Sequence, residues 1–97
     1  MQKITDRWII ENTRGYWKPN NIMLRLMEEI GELSREINHQ FGEKPKKSTD
    51  KNKEISHEIG DVLFTIACLS NSLNIKLDKA FQYTMKKYDK RDKERHR

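Results

Sequence analysis

The sequence predicts an all-α protein, a four-helix bundle-like fold that associates with itself, and three observations carry that prediction. Apolar residues recur at helical spacing through most of the 97 positions, and no strand-like alternation survives for more than a few residues. Glycine and proline fall mainly between the periodic stretches, where they punctuate helices. A hydrophobic fraction of 34% is thin for a chain of this length, so association with further copies is the expected way to complete a core.

The first helix is expected over about 3–14, with Ile4, Trp8 and Ile9 turned inward and Gly15 at its stop. Lys18-Pro19-Asn20-Asn21 supplies a turn and an N-cap. Ile22, Leu26, Leu33, Ile37 and Phe41 then mark a second helix that ends at Gly42, with Arg25, Glu29, Glu32 and Glu36 on one flank of its apolar stripe. A basic loop follows over 43–49, with Ser48, Thr49 or Asp50 as the cap of the third helix. That helix carries Ile55, Ile59, Val62, Ile66, Leu69 and Leu73, with Glu58, Asp61 and Thr65 on its flank. Between Val62 and Leu69 it is apolar almost all round, which predicts burial on several sides or a subunit interface. Asn74 ends it, and Leu77, Ala80, Phe81, Met85 and Tyr88 mark the fourth helix. The whole is read as one domain over 1–97, with 86–97 as a basic C-terminal extension.

Charge narrows the function classes. The net charge is +5, but 44–53 and 86–97 each carry +4 and leave −3 for everything else. Basic segments beside an acidic cluster suit a metal-bound polyphosphate better than duplex nucleic acid, whose backbone the acids would repel. No apolar run is long enough to span a bilayer and no export signal opens the chain, so no membrane partner is expected and the cytoplasm is the expected compartment. The single cysteine, Cys68, excludes an internal disulfide and a cysteine-based zinc site, and its apolar neighbours predict a buried, unreactive thiol.

The acids are patterned. Glu29-Ile30-Gly31-Glu32 and Glu58-Ile59-Gly60-Asp61 are near-copies 29 positions apart. Carboxylates three apart on a helix lie on the same side, so each copy offers an acid pair, and two antiparallel helices bring both pairs to one point. Four carboxylates there repel one another unless a hard, oxygen-seeking cation sits among them, which points to Mg²⁺, with Mn²⁺ as the substitute. No Glu-x-x-His pair is present, which disfavours a di-iron centre. Magnesium held by carboxylates completes its shell with substrate phosphate oxygens, hence phosphoryl or nucleotidyl chemistry. With no P-loop or dinucleotide fingerprint in the chain, the phosphates must be held by metal and side chains, and Lys44, Lys46, Lys47, Lys86, Lys87 and Arg91 are the available clamps. Gly31 and Gly60, costly inside helices, suggest close approach of another helix.

Glu28-Glu29-x-x-Glu32 and Glu58-x-x-Asp61 together resemble the signature of the MazG-type all-α nucleoside triphosphate pyrophosphohydrolases, and the likeness to small single-domain bacterial members extends through 25–33, 35–39, 42–47 and 59–64. The resemblance implies hydrolysis of a nucleoside triphosphate, a deoxynucleotide or non-standard one, to monophosphate and pyrophosphate, with Mg²⁺ and a dimer or dimer of dimers. It places metal ligands at Glu29, Glu32, Glu58 and Asp61, with Glu28 behind those ligands or orienting water. Glu32 or Glu28 would accept the proton from the attacking water. Substrate contacts are expected from Trp17, beside Tyr16 in the groove between the first two helices, and from Lys46, Lys47, Asn71, Lys87 and Arg91. Thr84 and Tyr88 depart from the lysine and asparagine that many members carry on the last helix. Two alternatives stay open: a non-catalytic helical oligomer that binds nucleic acid through its basic segments, and a related phosphoribosyl-ATP pyrophosphohydrolase.

Overall fold

The computed structural model describes residues 1–42 and 51–95. It contains four α-helices, α1 (Gln2–Asn12), α2 (Pro19–Phe41), α3 (Lys51–Ser72) and α4 (Leu77–Arg95), and no strand among the described residues. The basic loop with Lys44, Lys46 and Lys47, and the capping residues Ser48, Thr49 and Asp50, lie outside the described residues.

The ends of the helices follow from local chemistry. α1 stops at Asn12, two residues short of the expected Arg14, because the Thr13 hydroxyl donates to Ile9 O at 2.8 Å and also accepts from Gly15 N–H. Such side-chain bonds compete with continuation of the helix. Gly15 then adopts φ +118°, a conformation open to glycine and strained for other residues. Pro19 occupies the first turn of α2, and Lys18 before it is extended at φ −60°, ψ 146°, as a residue preceding proline must be. α3 closes as a Schellman turn: Asn74 sits at φ 57°, and Ile75 N–H donates to Ser70 O at 2.9 Å.

α2 and α3 form the main packed pair, and α1 lies against α3. Between them is a small core of Ile9, Ile22 and Cys68, with Tyr16 and Leu69 against it; Leu26 and Ala67 are buried too. Several residues expected inside are not. Ile4 is 75% exposed, because Thr5 takes the inward place on α1 and donates to Met1 O. Ile37, Phe41, Ile59 and Leu73 are exposed, and so are Phe81, Met85 and Tyr88 on α4, a helix that packs little on the others among the described residues. The all-round apolar stretch of α3 is buried on one side within the chain, where Ala67 and Cys68 sit, while Leu63 and Phe64 are exposed. Among the described residues no atom of another helix comes within 4 Å of a Cβ at Gly31 or Gly60, so the close helix approach expected there is not made by those helices.

The radius of gyration is 17.0 Å, against about 12.5 Å for a compact chain of this size. No helix is long and apolar enough to cross a membrane among the described residues.

Candidate metal and nucleotide site

The packing of α2 on α3 brings the two acid motifs face to face. Carboxylate oxygens of Glu29, Glu32 and Glu58 lie within 4.8 Å of one another. Glu29 is buried, Glu58 half-buried and Glu32 exposed. One oxygen of Glu29 accepts from Arg25 Nε at 2.9 Å. Its other oxygen, Oε2, is buried without a hydrogen-bond partner, as is Glu58 Oε2. Burial of a carboxylate oxygen without a partner is costly. Accordingly Glu29 is held above the ordinary glutamate range, by desolvation first and then by the charge of Glu32, with Arg25 opposing.

Beside the acids opens a cavity of about 520 Å³, a size suited to a small organic ligand. Arg25, Glu29, Glu32 and Asp61 line one side of it, while Trp8, Tyr16, Trp17, Ile22 and Phe64 supply apolar and aromatic walls. Trp8 and Phe64 meet edge to face with centroids 5.6 Å apart. Cys68 lines the cavity too, its thiol pushed up by burial. Charged and aromatic side chains thus line one hollow.

Of the sequence-derived site residues, Glu29, Glu32 and Glu58 converge, and Asp61 and Trp17 line the adjoining cavity. Glu28 points its carboxylate to solvent, 3.7 Å from Arg25 Nη1. Asn71 sits elsewhere: its amide oxygen accepts from Gln2 Nε2 at 2.9 Å, and its nitrogen donates to Gln2 O at 3.1 Å and to the Tyr16 hydroxyl at 2.9 Å. It lines a separate groove near the α3–α4 turn. Lys87 and Arg91 lie over the Tyr88 ring on α4, at 5.6 and 5.7 Å from its centroid, and neither lines the cavity. Sequence reasoning missed Trp8 and Phe64, which it assigned to core and to the apolar run. Arg25 was noticed on the acidic flank without a role, although a base four residues before a glutamate is itself the signal of an ion pair.

The match to the model of the MazG nucleotide pyrophosphohydrolase domain covers residues 18–96. The chain belongs to the MazG nucleotide pyrophosphohydrolase family. It is 50% identical over 95 residues to the uncharacterised protein YpjD of Bacillus subtilis strain 168, covering 98% of this chain and 86% of YpjD. The crystal structure of Bacillus subtilis YpjD superposes with a TM-score of 0.82 over 90% of this chain and 89% of that one. A second crystal structure, of a Bacillus-conserved MazG protein described as a nucleotide pyrophosphohydrolase, gives 0.79 at 44% identity, over 91% of this chain and 84% of that one. Membership makes the chain a hydrolase of nucleotide anhydride bonds, with an all-helical fold. The acid cluster at the α2–α3 contact, with its unpartnered oxygens, fits a divalent cation by chemistry and spacing.

Proposed function

We propose that this protein hydrolyses a nucleoside triphosphate, a deoxynucleotide or a non-standard one, to the monophosphate and pyrophosphate with Mg²⁺ as cofactor and Mn²⁺ as a substitute. The observation that carries the reading is the pair of buried, unpartnered oxygens, Glu29 Oε2 and Glu58 Oε2, in a carboxylate cluster that shares a hollow with aromatic walls. Glu29, Glu32 and Glu58 would hold the ion, with Asp61 as the fourth ligand from the cavity side. Bound there, the ion supplies charge neutralisation for the triphosphate and acidifies a water molecule.

The chain's own residues account for the rest. The 520 Å³ cavity takes the base, stacked between Trp17 at the mouth and the Trp8–Phe64 wall. Base binding there fixes the triphosphate along the Arg25–Glu29–Asp61 side, and positioning of this kind is a large part of phosphoryl-transfer catalysis. The water oxygen bonds to the attacked phosphorus as the bond to the pyrophosphate oxygen breaks. Glu32, exposed at the edge of the cluster, or Glu28 beside it accepts the proton the water loses.

The same reading includes a dimer or dimer of dimers. α2 carries a second apolar stripe, Met23, Met27, Ile30, Ile37 and Phe41, all exposed, on a face other than the one that packs on α3. Together with the exposed apolar residues of α4, this stripe is the kind of surface that marks a protein–protein interface. Lys87 and Arg91 would then meet phosphates from a neighbouring copy, and Lys46 and Lys47 from the basic loop. Incubation with Mg²⁺ and a nucleotide panel, followed by pyrophosphatase and phosphate detection, tests the activity. Release from a subset of triphosphates is expected, and none from any of them refutes the proposal.

A further inference from the structure

Arg25 occupies an unusual position between two sites. Its Nε donates to Glu29 Oε1 at 2.9 Å, its Nη1 stands 3.7 Å from Glu28 Oε2, and its side chain is 54% exposed and lines the nucleotide-sized cavity. Glu29, by contrast, is buried to a side-chain exposure of 6%. Among the described residues this guanidinium is the cation paired to the acid cluster. A carboxylate so buried, with two further acids within 4.8 Å, needs a counter-charge. Arg25 supplies it through Nε, one of five N–H donors, with Nη1 near Glu28 and the residue itself part of the cavity lining.

We infer that Arg25 is an exchangeable counter-ion, which neutralises the acid cluster in the metal-free protein and is handed over to the nucleotide's triphosphate once a divalent cation holds the acids. The inference rests on the proposed nucleotide reading. Its physical basis is competition. A doubly charged ion among Glu29, Glu32 and Glu58 removes the attraction that holds Arg25 and repels the guanidinium at short range. A triphosphate in the adjoining cavity offers a planar, many-donor cation the bidentate contacts it favours. Exposure of the Arg25 side chain permits the swing, whereas a guanidinium as buried as Glu29 would be fixed. One residue would thereby keep the empty site from repelling itself and bind substrate in the loaded one.

The test uses the full-length protein and the variants Arg25→Gln and Arg25→Lys. Mg²⁺ or Mn²⁺ binding without nucleotide, measured by calorimetry, should be three- to tenfold tighter in Arg25→Gln, because no internal cation competes. The metal-free melting temperature should fall in that variant, and saturating Mg²⁺ should close most of the gap. With Mg²⁺ present, the KM for the nucleotide hydrolysed by the wild type should rise about tenfold in Arg25→Gln, kcat changing less, and Arg25→Lys should recover part of it. The Arg25 Nε–H resonance, assigned by its loss in Arg25→Gln, should exchange faster with water on adding Mg²⁺. Weaker metal binding in Arg25→Gln would overturn the inference and make Arg25 a residue that aims Glu29 at the metal. An unchanged KM would overturn it too and leave a surface ion pair. The calorimetric and resonance arms need no nucleotide, so a wild type that turns over no nucleotide yet passes both refutes the nucleotide reading and leaves the counter-ion role standing.

Discussion

Two polar clusters are built on the same helix and differ in how completely they are satisfied. Near the C-terminal end of α3, Asn71 joins Gln2 and Tyr16 in a closed network: Gln2 Nε2 also donates to Ile75 O at 2.7 Å, Leu77 N–H donates to Gln2 Oε1, and the Tyr16 hydroxyl donates to Asp6 at 2.7 Å. About 20 Å away along α3, at 1.5 Å per residue, Glu58 meets Glu29 and Glu32, and two buried oxygens have no partner. A satisfied polar network specifies structure, and an unsatisfied buried one carries an unfavourable free energy that protonation or a ligand relieves. The first cluster clasps α1 to the α3–α4 turn; the second is the one proposed to take a cation and a substrate.

The comparison breaks first on a single carboxylate. Glu58→Gln should lower turnover by 10²-fold or more on whichever nucleotide the wild type hydrolyses, because charge stabilisation in the transition state is lost. Its metal-free melting temperature should not fall, since the variant relieves repulsion. An active Glu58→Gln protein would remove the acid cluster from catalysis, and an inactive but strongly destabilised one would make Glu58 a structural partner like Asn71. Saturation with Mg²⁺ is the next largest effect. At a free concentration 100 times Kd, a ligand that binds only the native state adds about 2.7 kcal/mol, on the order of 10 °C in a domain of this size. Scanning calorimetry should find that shift in the wild type and find it largely abolished in Asp61→Asn.

The clasp should answer the other way. Asn71→Ala removes three hydrogen bonds, those with Gln2 Nε2, Gln2 O and the Tyr16 hydroxyl, although Gln2 Nε2 keeps Ile75 O and the hydroxyl keeps Asp6, and the expected loss is about 2 kcal/mol in chemical denaturation with or without Mg²⁺. Tyr16→Phe should cost less, about 1 kcal/mol, because Asp6 regains solvent. If Asn71→Ala instead left stability unchanged and raised KM, Asn71 would belong with the substrate and the clasp would be incidental. Burial and the Asp6 bond push the Tyr16 phenol up to about 12, so it stays a neutral donor across the working range.

The two clusters were unequally readable from sequence. The acids announce themselves because i, i+3 spacing alone fixes their common side, and a repeated motif needs only an antiparallel helix pair to converge. The clasp joins Gln2 to Asn71 across 69 positions and Tyr16 to Asn71 across 55. Each residue is unremarked locally, so no spacing rule finds it. Helix existence was equally plain, while helix faces were not. Periodicity marks Phe81, Met85 and Tyr88 as one stripe but does not say whether the same chain covers it, and here all three are exposed. The aromatic walls escaped for a related reason. Trp8 and Phe64 obey core periodicity, yet they border a hollow whose other side is Arg25 and the acids.

The smallest effect concerns pH and turns on the direction of one shift. Glu29 is held above the usual glutamate range, chiefly by desolvation and by Glu32. A carboxyl raised on folding binds its proton more tightly in the native state, so it contributes stability that is fully present below the unfolded-state value, about 4.3. That contribution is lost as pH rises through the higher native value. The metal-free wild type should therefore lose stability relative to Glu29→Gln as pH is raised from 4 to 7, the variant still accepting the Arg25 bond through its amide oxygen. Taking the difference between the two proteins cancels the titrations they share, including acid unfolding. Saturating Mg²⁺ should reverse the order at pH 7, because the wild-type carboxylate then has its ion and the amide does not. A wild type that gains stability over Glu29→Gln with rising pH in the absence of metal would show that Arg25 already satisfies Glu29 in full. The acid cluster would then be a second clasp, and the difference between the two ends of α3 would disappear.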